Sequence, residues 1–442
     1  MQKNVLFLIA DDWSPMAPCY GHDWLRMPNV EALAARGRVF DHAFCTTPSC
    51  AASRACLLTG QHSFGHGQQG HCHGDHGFRT RESVPTLPYL LNEAGYATGL
   101  VGKNHCGAEP TYPWSFARPG LHTPAVFRKY LAEFFETVGD RPFHLHVAPF
   151  EPHRKGDGFG NEVAHAGDEP VTYSPDEVVL PPWLPDLPEV REDFADYCQA
   201  VTRFDHQVGV AVEALKAAGR EADTLIVVCA DHGMPFVGAK ATSYEGGHHC
   251  PLIVVDPSRP EAGRNRALVN WTDVFATLMD WHGVPVPDPC HGRSFLPVLH
   301  AAEPEGWDAT LLAHGFHEVT NPYPYRILRE RRFKYVLNIL PELTLPIATD
   351  LYASKSWQAV ESRRLADYGV RRTADMLHQP REKLYDLEAD PWETRNLADD
   401  PAHRTTLERM RGEVCAFRER HGDVWLNADA LQGHLASMTW DG

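Results

Sequence analysis

The sequence predicts an α/β protein in which helices flank a large, mostly parallel sheet and a smaller α+β domain follows at the C-terminal end. Short apolar runs alternate with helix-like segments over residues 1–304, as in sheets whose parallel strands are joined by helices. Four of these runs are followed by ionisable residues, and ligands of such sheets bind beyond the carboxyl ends of the strands. At 442 residues the chain is long enough for one large domain and a smaller one.

The first part of the chain alternates strands and helices. Residues 4–10 are almost all apolar, which is typical of a parallel strand that is buried on both faces. The elements predicted after this strand are a helix over 28–39, a short helix ending at Gly60, a helix over 86–94, strands over 97–101 and 142–148, a surface excursion over 161–189, a long amphipathic helix over 193–218 and a strand over 224–230.

The second part of the chain completes the large domain and forms the smaller one. A strand over 251–255 and a helix over 274–281 are predicted to close the large domain, whose bounds are set at 1–304. The smaller domain, 305–442, is predicted to contain a strand pair over 325–338, a short strand over 383–387 and a terminal helix over 403–420.

Composition excludes several classes of function. The net charge of −17 argues against a nucleic-acid-binding protein, although an acidic protein can hold a local basic pocket for an anion. No apolar run approaches the roughly 20 residues of a membrane-spanning helix, so no membrane partner is expected. The predicted strand at 4–10 leaves no room for a secretory signal, which predicts a cytoplasmic location. The 11 cysteines are scattered, with no C-x-x-C pair, and are expected to be mostly reduced.

The stretch 48–60 has the features of an anion site. It reads as a short helix that ends at Gly60. Cys50 and Arg54 are four residues apart and therefore share one helix face. Cys50 lies in the first turn, where free backbone N–H groups and the helix dipole favour negative charge. A buried structural thiol on an ordinary helix is the alternative that this stretch leaves open by itself.

Ionisable residues follow four of the predicted strands. Adjacent carboxylates at the end of a buried strand repel each other, and a divalent cation usually relieves that repulsion. A solvated acidic turn is the alternative. The residues that follow the four strands are Asp11 and Asp12, Lys103 and His105, His153, and Asp231 and His232.

Two stretches resemble the signatures of the formylglycine-dependent sulfatase family. In the first, a Cys is followed two residues later by Pro, then by Arg and a Leu-Thr-Gly ending, which matches 48–60 except that Ala52 stands at the Pro position. In the second, a Lys precedes Tyr-Glu-Gly-Gly, which matches 240–247. The resemblance implies an alkaline-phosphatase-like fold and conversion of Cys50 to formylglycine by a formylglycine-generating enzyme. Ala52 puts the efficiency of that conversion in question.

The resemblance also implies roles for individual residues. One divalent cation is expected, with calcium first and magnesium or manganese as alternatives. His232 stands where many members of the family have Asn, and imidazole suits softer ions such as manganese better than an amide oxygen does. The implied metal ligands are Asp11, Asp12, Cys50, Asp231 and His232. The implied catalytic residues are Cys50, Arg54, Lys103, His105, His153 and Lys240.

The implied reaction is hydrolysis through a covalent sulfo-enzyme intermediate. The hydrated formylglycine attacks sulfur, and its second hydroxyl then allows sulfate to leave. His105 is implied to be the base of that elimination, and His153, assisted by Lys240, to be the acid that protonates the leaving group. Arg54, Lys103 and Lys240 are implied to offset the charge of the sulfuryl oxygens.

Several further stretches resemble the N-sulfoglucosamine sulfohydrolase branch of the family. They include 102–105, 140–154, 233–236 and 317–324. This resemblance implies cleavage of the N-sulfo group of glucosamine, as in heparan sulfate degradation, with His317 and Glu318 contacting substrate. The loop 62–76 contains five histidines; it is interpreted either as a mobile rim or as a substrate contact through His71 or His73.

Three other functions remain open from the sequence. The first is an O-sulfatase that acts on another sulfated molecule. The second is a phosphonate or phosphate ester hydrolase, which His232 favours by resemblance. The third is a non-enzymatic anion- or glycan-binding protein in which Cys50 stays a thiol because Ala52 prevents maturation.

Overall fold

A nine-stranded mixed sheet forms the centre of the protein in the computed structural model, which describes residues 3–107, 110–161 and 171–426. Its strands are β1 (Asn4–Ala10), β2 (Arg38–Phe44), β3 (Ala97–Gly102), β4 (Phe116–Pro119), β5 (Phe143–Ala148), β6 (Thr224–Ala230), β7 (His249–Cys250), β8 (Leu252–Val255) and β9 (Gly263–Asn270). The strand order is β4-β3-β5-β1-β6-β8-β2-β7, and β9 pairs with β2.

Four neighbouring strands of this sheet, β3, β5, β1 and β6, are mutually parallel. Ala10 of β1 pairs with Ala230 of β6, and Gly102 of β3 pairs with Ala148 of β5. Because every residue of these strands is buried, the strands form a largely apolar core. Their carboxyl ends therefore lie side by side at one edge of the sheet.

Helices connect the strands and cover the sheet. Those of the first 300 residues are α1 (Pro28–Ala34), α2 (Cys50–Thr59), α3 (Ser63–His66), α4 (Leu87–Glu93), α5 (Pro124–Val138), α6 (Pro188–Ala217), α7 (Glu245–His248) and α8 (Trp271–His282). None of the described helices is long and apolar enough to cross a membrane.

A separate four-stranded antiparallel sheet lies C-terminal to the large one. Its strands, in spatial as well as chain order, are β10 (Ala309–Phe316), β11 (Pro322–Glu330), β12 (Phe333–Asn338) and β15 (Glu382–Asp386). The intervening strands β13 (Asp367–Tyr368) and β14 (Arg371–Arg372) form a separate two-stranded sheet. The helices of this part are α9 (Thr349–Tyr352), α10 (Lys355–Arg363), α11 (Thr373–Leu377) and α12 (Arg404–Arg420).

The predicted fold class is confirmed, with a large mostly parallel sheet and a smaller antiparallel sheet C-terminal to it. The domain bounds of 1–304 and 305–442 stay a prediction. Part of the predicted excursion over 161–189, namely 162–170, lies outside the described residues.

Two predicted helices are wrong in their extent, and the one expected over 193–218 begins five residues earlier, at Pro188. The helix expected over 28–39 ends at Ala34, and Arg38 already begins β2. The apolar residues Val30, Leu33 and Ala34 are spaced as in a helix, but residues 39 and 40 pair with β8 and β9. The pairing of β2 with distant strands therefore decides the conformation of this segment. Strands β9 and β10 and helices α5 and α10 were not predicted.

A buried ion pair fixes the loop after β5 to helix α6. The two Arg154 Nη atoms donate to the two Asp193 carboxylate oxygens at 2.9 and 2.7 Å, and both side chains are fully buried. Arg154 Nε donates to the Pro235 carbonyl at 2.8 Å, and the guanidinium lies over the rings of Phe159 and Phe236. Arg154 therefore links α6 to the loops after β5 and β6.

Replacing Asp193 with Ala is expected to destabilise the protein by about 3–5 kcal/mol, because the Arg154 charge would stay buried without a partner. Urea unfolding measures this change. The control is Glu192→Ala, a change at the exposed neighbouring position, which should stay within about 0.5 kcal/mol of the wild type. Equal effects of the two changes would contradict the buried ion pair.

Candidate active site

The carboxyl ends of β1, β3, β5 and β6 bring the sequence-predicted residues together. Asp11 and Lys103 follow directly after β1 and β3, and Asp231 follows directly after β6. His153 lies five residues beyond the end of β5, and the Asp11 N–H donates to the Glu151 carbonyl of that loop at 3.1 Å. The parallel register of the strands thus assembles one site from segments up to 220 residues apart in the chain, such as Asp11 and Asp231.

Three carboxylates form the acid cluster, defined as Asp11, Asp12 and Asp231. One ligand oxygen from each lies within 4.8 Å of the others, and all three residues are fully buried. Asp12 has a left-handed backbone with φ of 67°, a conformation that Asp tolerates better than most residues. Its N–H donates to Asp231 Oδ1 at 3.0 Å, which holds both carboxylates against each other.

Cys50 is the first residue of α2 and faces the acid cluster. Its Sγ lies 3.1 Å from His232 Nε2 and 3.8 Å from Asp12 Oδ1. Burial by itself would raise the pKa of the Cys50 thiol, but Lys103, Lys240 and His232 outweigh it and lower that pKa. Residue 50 is therefore placed where an anionic side chain is stabilised.

Arg54 extends from the same face of α2, as the four-residue spacing predicts. Its Nε donates to Asp231 Oδ2 at 2.9 Å, and one Nη lies 3.5 Å from Asp11 Oδ1. Among the described residues, Arg54 Nη1 and Nη2 have no hydrogen-bond acceptor although they are buried. Two guanidinium nitrogens are thus left to bind an anion.

Two lysines complete the charge of the site. Lys103 Nζ forms an ion pair with Asp11, and Lys240 Nζ lies 3.0 Å from Asp12 Oδ2. The Ala241 N–H donates to the Pro48 carbonyl at 2.9 Å, which ties the segment of Lys240 to the start of α2. Three carboxylates therefore face three cations, counting Arg54.

The acid cluster fits a divalent cation. The Asp11 Oδ1 atom is buried and accepts no hydrogen bond from the described residues. Burial and the Asp11 carboxylate raise the pKa of Asp231 despite the Arg54 guanidinium, which indicates that the cationic side chains alone do not compensate this carboxylate. Carboxylate oxygens are the ligands that hard cations such as calcium prefer. Two added positive charges would leave the site net positive and suited to an anionic substrate.

His232 is oriented as a metal ligand. Its Nδ1 lies 2.9 Å from the Gly233 carbonyl, which can only accept, so Nδ1 carries the proton and donates. The Nε2 atom lies 2.9 Å from Asp12 Oδ1. Burial opposes protonation of the ring, but Asp231, Cys50 and Asp12 outweigh it and raise the pKa of His232 well above its usual value, so a bound cation would take the place of the Nε2 proton. Such a hydrogen bond to a carbonyl commonly sets the tautomer of metal-binding histidines.

His153 lies between two carboxylates and a lysine. Its Nε2 is 3.9 Å from Asp12 Oδ2 and 3.5 Å from Lys240 Nζ, and its Nδ1 lies 2.6 Å from the Arg154 carbonyl. Burial and Lys240 oppose its protonation, but the Asp12 and Asp11 carboxylates outweigh them and raise the pKa of His153. A protonated imidazole at this position fits the predicted role of an acid.

His105 belongs to a group of histidines beside the acid cluster. Its Nε2 lies 2.6 Å from His73 Nδ1, and its ring stacks on His71. Burial, the Lys103 ammonium and His71 lower the pKa of His105 well below its usual value, so the ring is neutral and able to accept a proton. This state fits the predicted role of a base.

The other predicted substrate contacts lie around this group. His317 Nε2 is 3.1 Å from His71 Nε2, and its Nδ1 is 3.0 Å from Ser49 Oγ, one residue before Cys50. His71 is buried, whereas His73 is exposed; the buried state of His71 is contrary to its interpretation as part of a surface rim.

Glu318 contacts the C-terminal part of the protein rather than the charged residues of the site. Its two carboxylate oxygens accept from the Thr349 N–H at 3.1 Å and from Thr349 Oγ1 at 2.9 Å. Direct contact of Glu318 with substrate stays a prediction.

Sequence reasoning missed Asp350, which follows Thr349 in α9. Its Oδ2 accepts from Lys240 Nζ at 2.7 Å and lies 3.9 Å from His153 Nε2. No local pattern could identify this residue, because α9 is a single turn whose charged contacts come from residues at least 110 positions away.

Comparison with known families agrees with this arrangement. A family model described as sulfatase matches residues 3–284, and one described as the C-terminal region of N-sulphoglucosamine sulphohydrolase matches 236–339. The human N-sulphoglucosamine sulphohydrolase is 34% identical to the chain, with 96% of this chain and 92% of the human protein covered.

Solved structures show the same fold. A protein whose structure was solved in complex with its substrate, D-glucosamine-2-N,6-O-disulfate, matches with a TM-score of 0.69 and 18% identity, covering 96% of this chain and 99% of that one. The phosphonate monoester hydrolase of Silicibacter pomeroyi matches with a TM-score of 0.70 and 21% identity, covering 96% and 97%. The sulfatase family model matches more than half of the chain, and the residues that the sequence predicts to be catalytic lie together at one edge of the sheet. This chain therefore belongs to the sulfatase family.

Proposed function

We propose that this chain is a sulfohydrolase that removes sulfate from a sulfated saccharide, with the N-sulfo group of glucosamine as its target. The observation that carries the proposal is the 34% identity with human N-sulphoglucosamine sulphohydrolase over 96% of the chain. The match of residues 236–339 to the C-terminal model of that enzyme supports it, because this segment includes His317 and Glu318 beside the site.

The proposed metal site consists of the acid cluster with His232 and residue 50. Calcium is the proposed ion, because three of the side chains supply carboxylate oxygens. Magnesium and manganese are the alternatives, since a histidine nitrogen also suits manganese. A bound divalent cation would supply Lewis-acid stabilisation of negative charge at residue 50.

Residue 50 is proposed to be formylglycine, made from Cys50 by a formylglycine-generating enzyme. When hydrated, this side chain supplies an oxygen nucleophile and a second hydroxyl that lets sulfate depart. The buried position of Cys50 at the first turn of α2, beside His232 and two lysines, supports this role.

The remaining residues are proposed to bind and to transfer protons. Arg54 and Lys103 bind the sulfuryl oxygens, because the Arg54 Nη atoms are buried without acceptors among the described residues. His153 gives its proton to the leaving group, assisted by Lys240, and His105 takes a proton when sulfate is released. Fixed cations of this kind commonly supply the largest part of catalysis.

Sulfate release from N-sulfoglucosamine by the matured protein tests the proposal. Ion chromatography is expected to show turnover of N-sulfoglucosamine at least about tenfold faster, in kcat/KM, than of glucosamine 6-sulfate. Release only from the 6-sulfate would support the O-sulfatase alternative. Faster turnover of an aryl phosphonate ester than of an aryl sulfate would support the phosphonate hydrolase alternative, which His232 favours by resemblance.

A further inference from the structure

Asp350 places a negative charge beside the leaving-group side of the site. Its Oδ2 accepts from Lys240 Nζ at 2.7 Å and lies 3.9 Å from His153 Nε2. These two are the residues to which protonation of the leaving group is assigned. The Asp350 side chain keeps 22% of its surface exposed, whereas that of Lys240 keeps 1%. Part of the Asp350 side chain is therefore accessible and is not covered by Lys240.

The position of this carboxylate is fixed from outside the site. Glu318 accepts two hydrogen bonds from Thr349, the first residue of α9, at 3.1 and 2.9 Å. The Asp350 Oδ1 atom accepts from the Leu351 N–H at 3.0 Å. Glu318 is thus a positioning residue that holds Asp350 against Lys240.

A second carboxylate on Lys240 is not required to compensate the lysine. Lys240 Nζ already lies 3.0 Å from Asp12 Oδ2 within the acid cluster. Lys240 and His153 hold the pKa of Asp350 below its usual value against the effect of burial, so the carboxylate is ionised. This charge lies on the leaving-group side of the site, where it repels an anionic group and attracts a substrate atom that becomes positive.

Cleavage of an N-sulfo group provides such a positive charge, and cleavage of an O-sulfo group does not. As the S–N bond breaks, sulfur bonds to the oxygen nucleophile of residue 50, and the electron pair of the S–N bond stays on nitrogen. Nitrogen takes the proton of His153 while the S–N bond is still breaking, so it carries positive charge in the transition state; it departs as an amine, which takes a second proton from water to become an ammonium. The corresponding product of an O-sulfo sugar is a neutral alcohol.

From this geometry we infer that Asp350 is the residue that selects N-sulfo over O-sulfo sugars, by binding the substrate nitrogen as it becomes an ammonium. The inference rests on the proposed function, since it requires that the chain cleaves an N-sulfo group. A carboxylate 3.9 Å from the proton donor His153 is placed to accept a hydrogen bond from that nitrogen. Such a charge-assisted bond is about twice as strong as a neutral one.

The test compares wild type with Asp350→Asn on two substrates. The amide of Asn can still accept a hydrogen bond from Lys240, so the change mainly removes the charge. For N-sulfoglucosamine, kcat/KM is expected to fall about 10- to 100-fold, the scale of one lost hydrogen bond to a charged group. For glucosamine 6-sulfate, or for an aryl sulfate, the fall should stay below about threefold. Asp350→Glu should restore part of the preference for N-sulfoglucosamine.

The matched control is Asp375→Asn, which changes an exposed carboxylate of α11 in the same part of the chain. It should leave both substrates unchanged. A binding measurement adds a readout that does not depend on turnover. In the Cys50→Ala background, glucosamine should bind more tightly than N-acetylglucosamine, and Asp350→Asn should remove that difference while thermal unfolding confirms the folded state.

Three results would overturn the inference. Equal losses on both substrates would show that Asp350 only holds Lys240 in position, and an unchanged ratio with no loss would show that it has no role. A wild type that does not cleave N-sulfoglucosamine at all would instead refute the proposed function, and the inference with it. The behaviour of the wild type thus separates the two failures.

Discussion

Replacing Cys50 with Ala is expected to reduce sulfate release by at least about 10⁴-fold, the scale seen when a catalytic nucleophile is removed. The physical reason is that residue 50 is the group that His232, Lys103 and Lys240 surround and stabilise as an anion. Initial rates of matured wild type and variant, with the fold verified by thermal unfolding, measure the loss. Retention of more than about a tenth of the activity would place the nucleophile elsewhere.

Cys50→Ser separates nucleophilic attack from sulfate release. Serine has one hydroxyl, so it can be sulfated but lacks the second hydroxyl that lets sulfate depart. We expect no steady turnover and a protein that gains the mass of one sulfo group on residue 50. Steady turnover by the serine variant would contradict the proposed role of formylglycine.

Residue 52 provides a second test of formylglycine formation at residue 50. Ala52 is the third residue of α2, a first-turn position whose N–H needs no partner within the helix, so Pro is tolerated there. Intact mass of the peptide that contains residue 50 reports the fraction of thiol converted to aldehyde. Ala52→Pro should raise that fraction in a host with the maturation enzyme. No conversion in either protein would favour the anion-binding alternative.

Removal of divalent metal is expected to reduce activity by about 10³-fold or more, since metal stabilisation of developing charge amounts to several kcal/mol. Calcium should also stabilise the folded protein, by about 2.7 kcal/mol at a concentration 100 times its Kd. The acid cluster is fully buried, and Asp11 Oδ1 has no hydrogen bond among the described residues. The measurement is activity and thermal unfolding after chelation and re-addition of calcium, magnesium or manganese.

Asp11→Asn should abolish both the activity and the calcium-dependent stabilisation. The control is Asp308→Asn, which changes an exposed carboxylate just before β10. It should respond to calcium as the wild type does. A stabilisation by calcium that survives Asp11→Asn would place the cation outside the acid cluster.

The ends of the strands explain how far the sequence could predict the site. The apolar runs 4–10 and 224–230 are recognisable by themselves, and both coincide with β1 and β6. Parallel strands end at the same edge, so Asp11, Asp12, Asp231 and His232 could be expected to meet. The helical spacing of Cys50 and Arg54 was equally local, and both side chains face Asp231.

Contacts between distant segments explain what the sequence could not predict. The apolar residues of β2 are spaced as in a helix, but the segment forms a strand because it pairs with β7, β8 and β9. Asp350 reaches Lys240 from a one-turn helix that Glu318 holds in place. Arg154 pairs with Asp193, which is 39 residues away in the second turn of α6.

The sequence by itself determined the strands, the helix of Cys50 and the acidic and basic residues that follow the strands. Those features depend on side-chain period and on neighbours a few residues away. Only the tertiary structure decided which charges pair, that the pKa of His105 is lowered while that of His153 is raised, and that the Asp350 carboxylate lies beside Lys240. The reason is that burial and the Coulomb interaction of charges act through space, and their strength depends on distances and solvent exclusion that chain order does not specify.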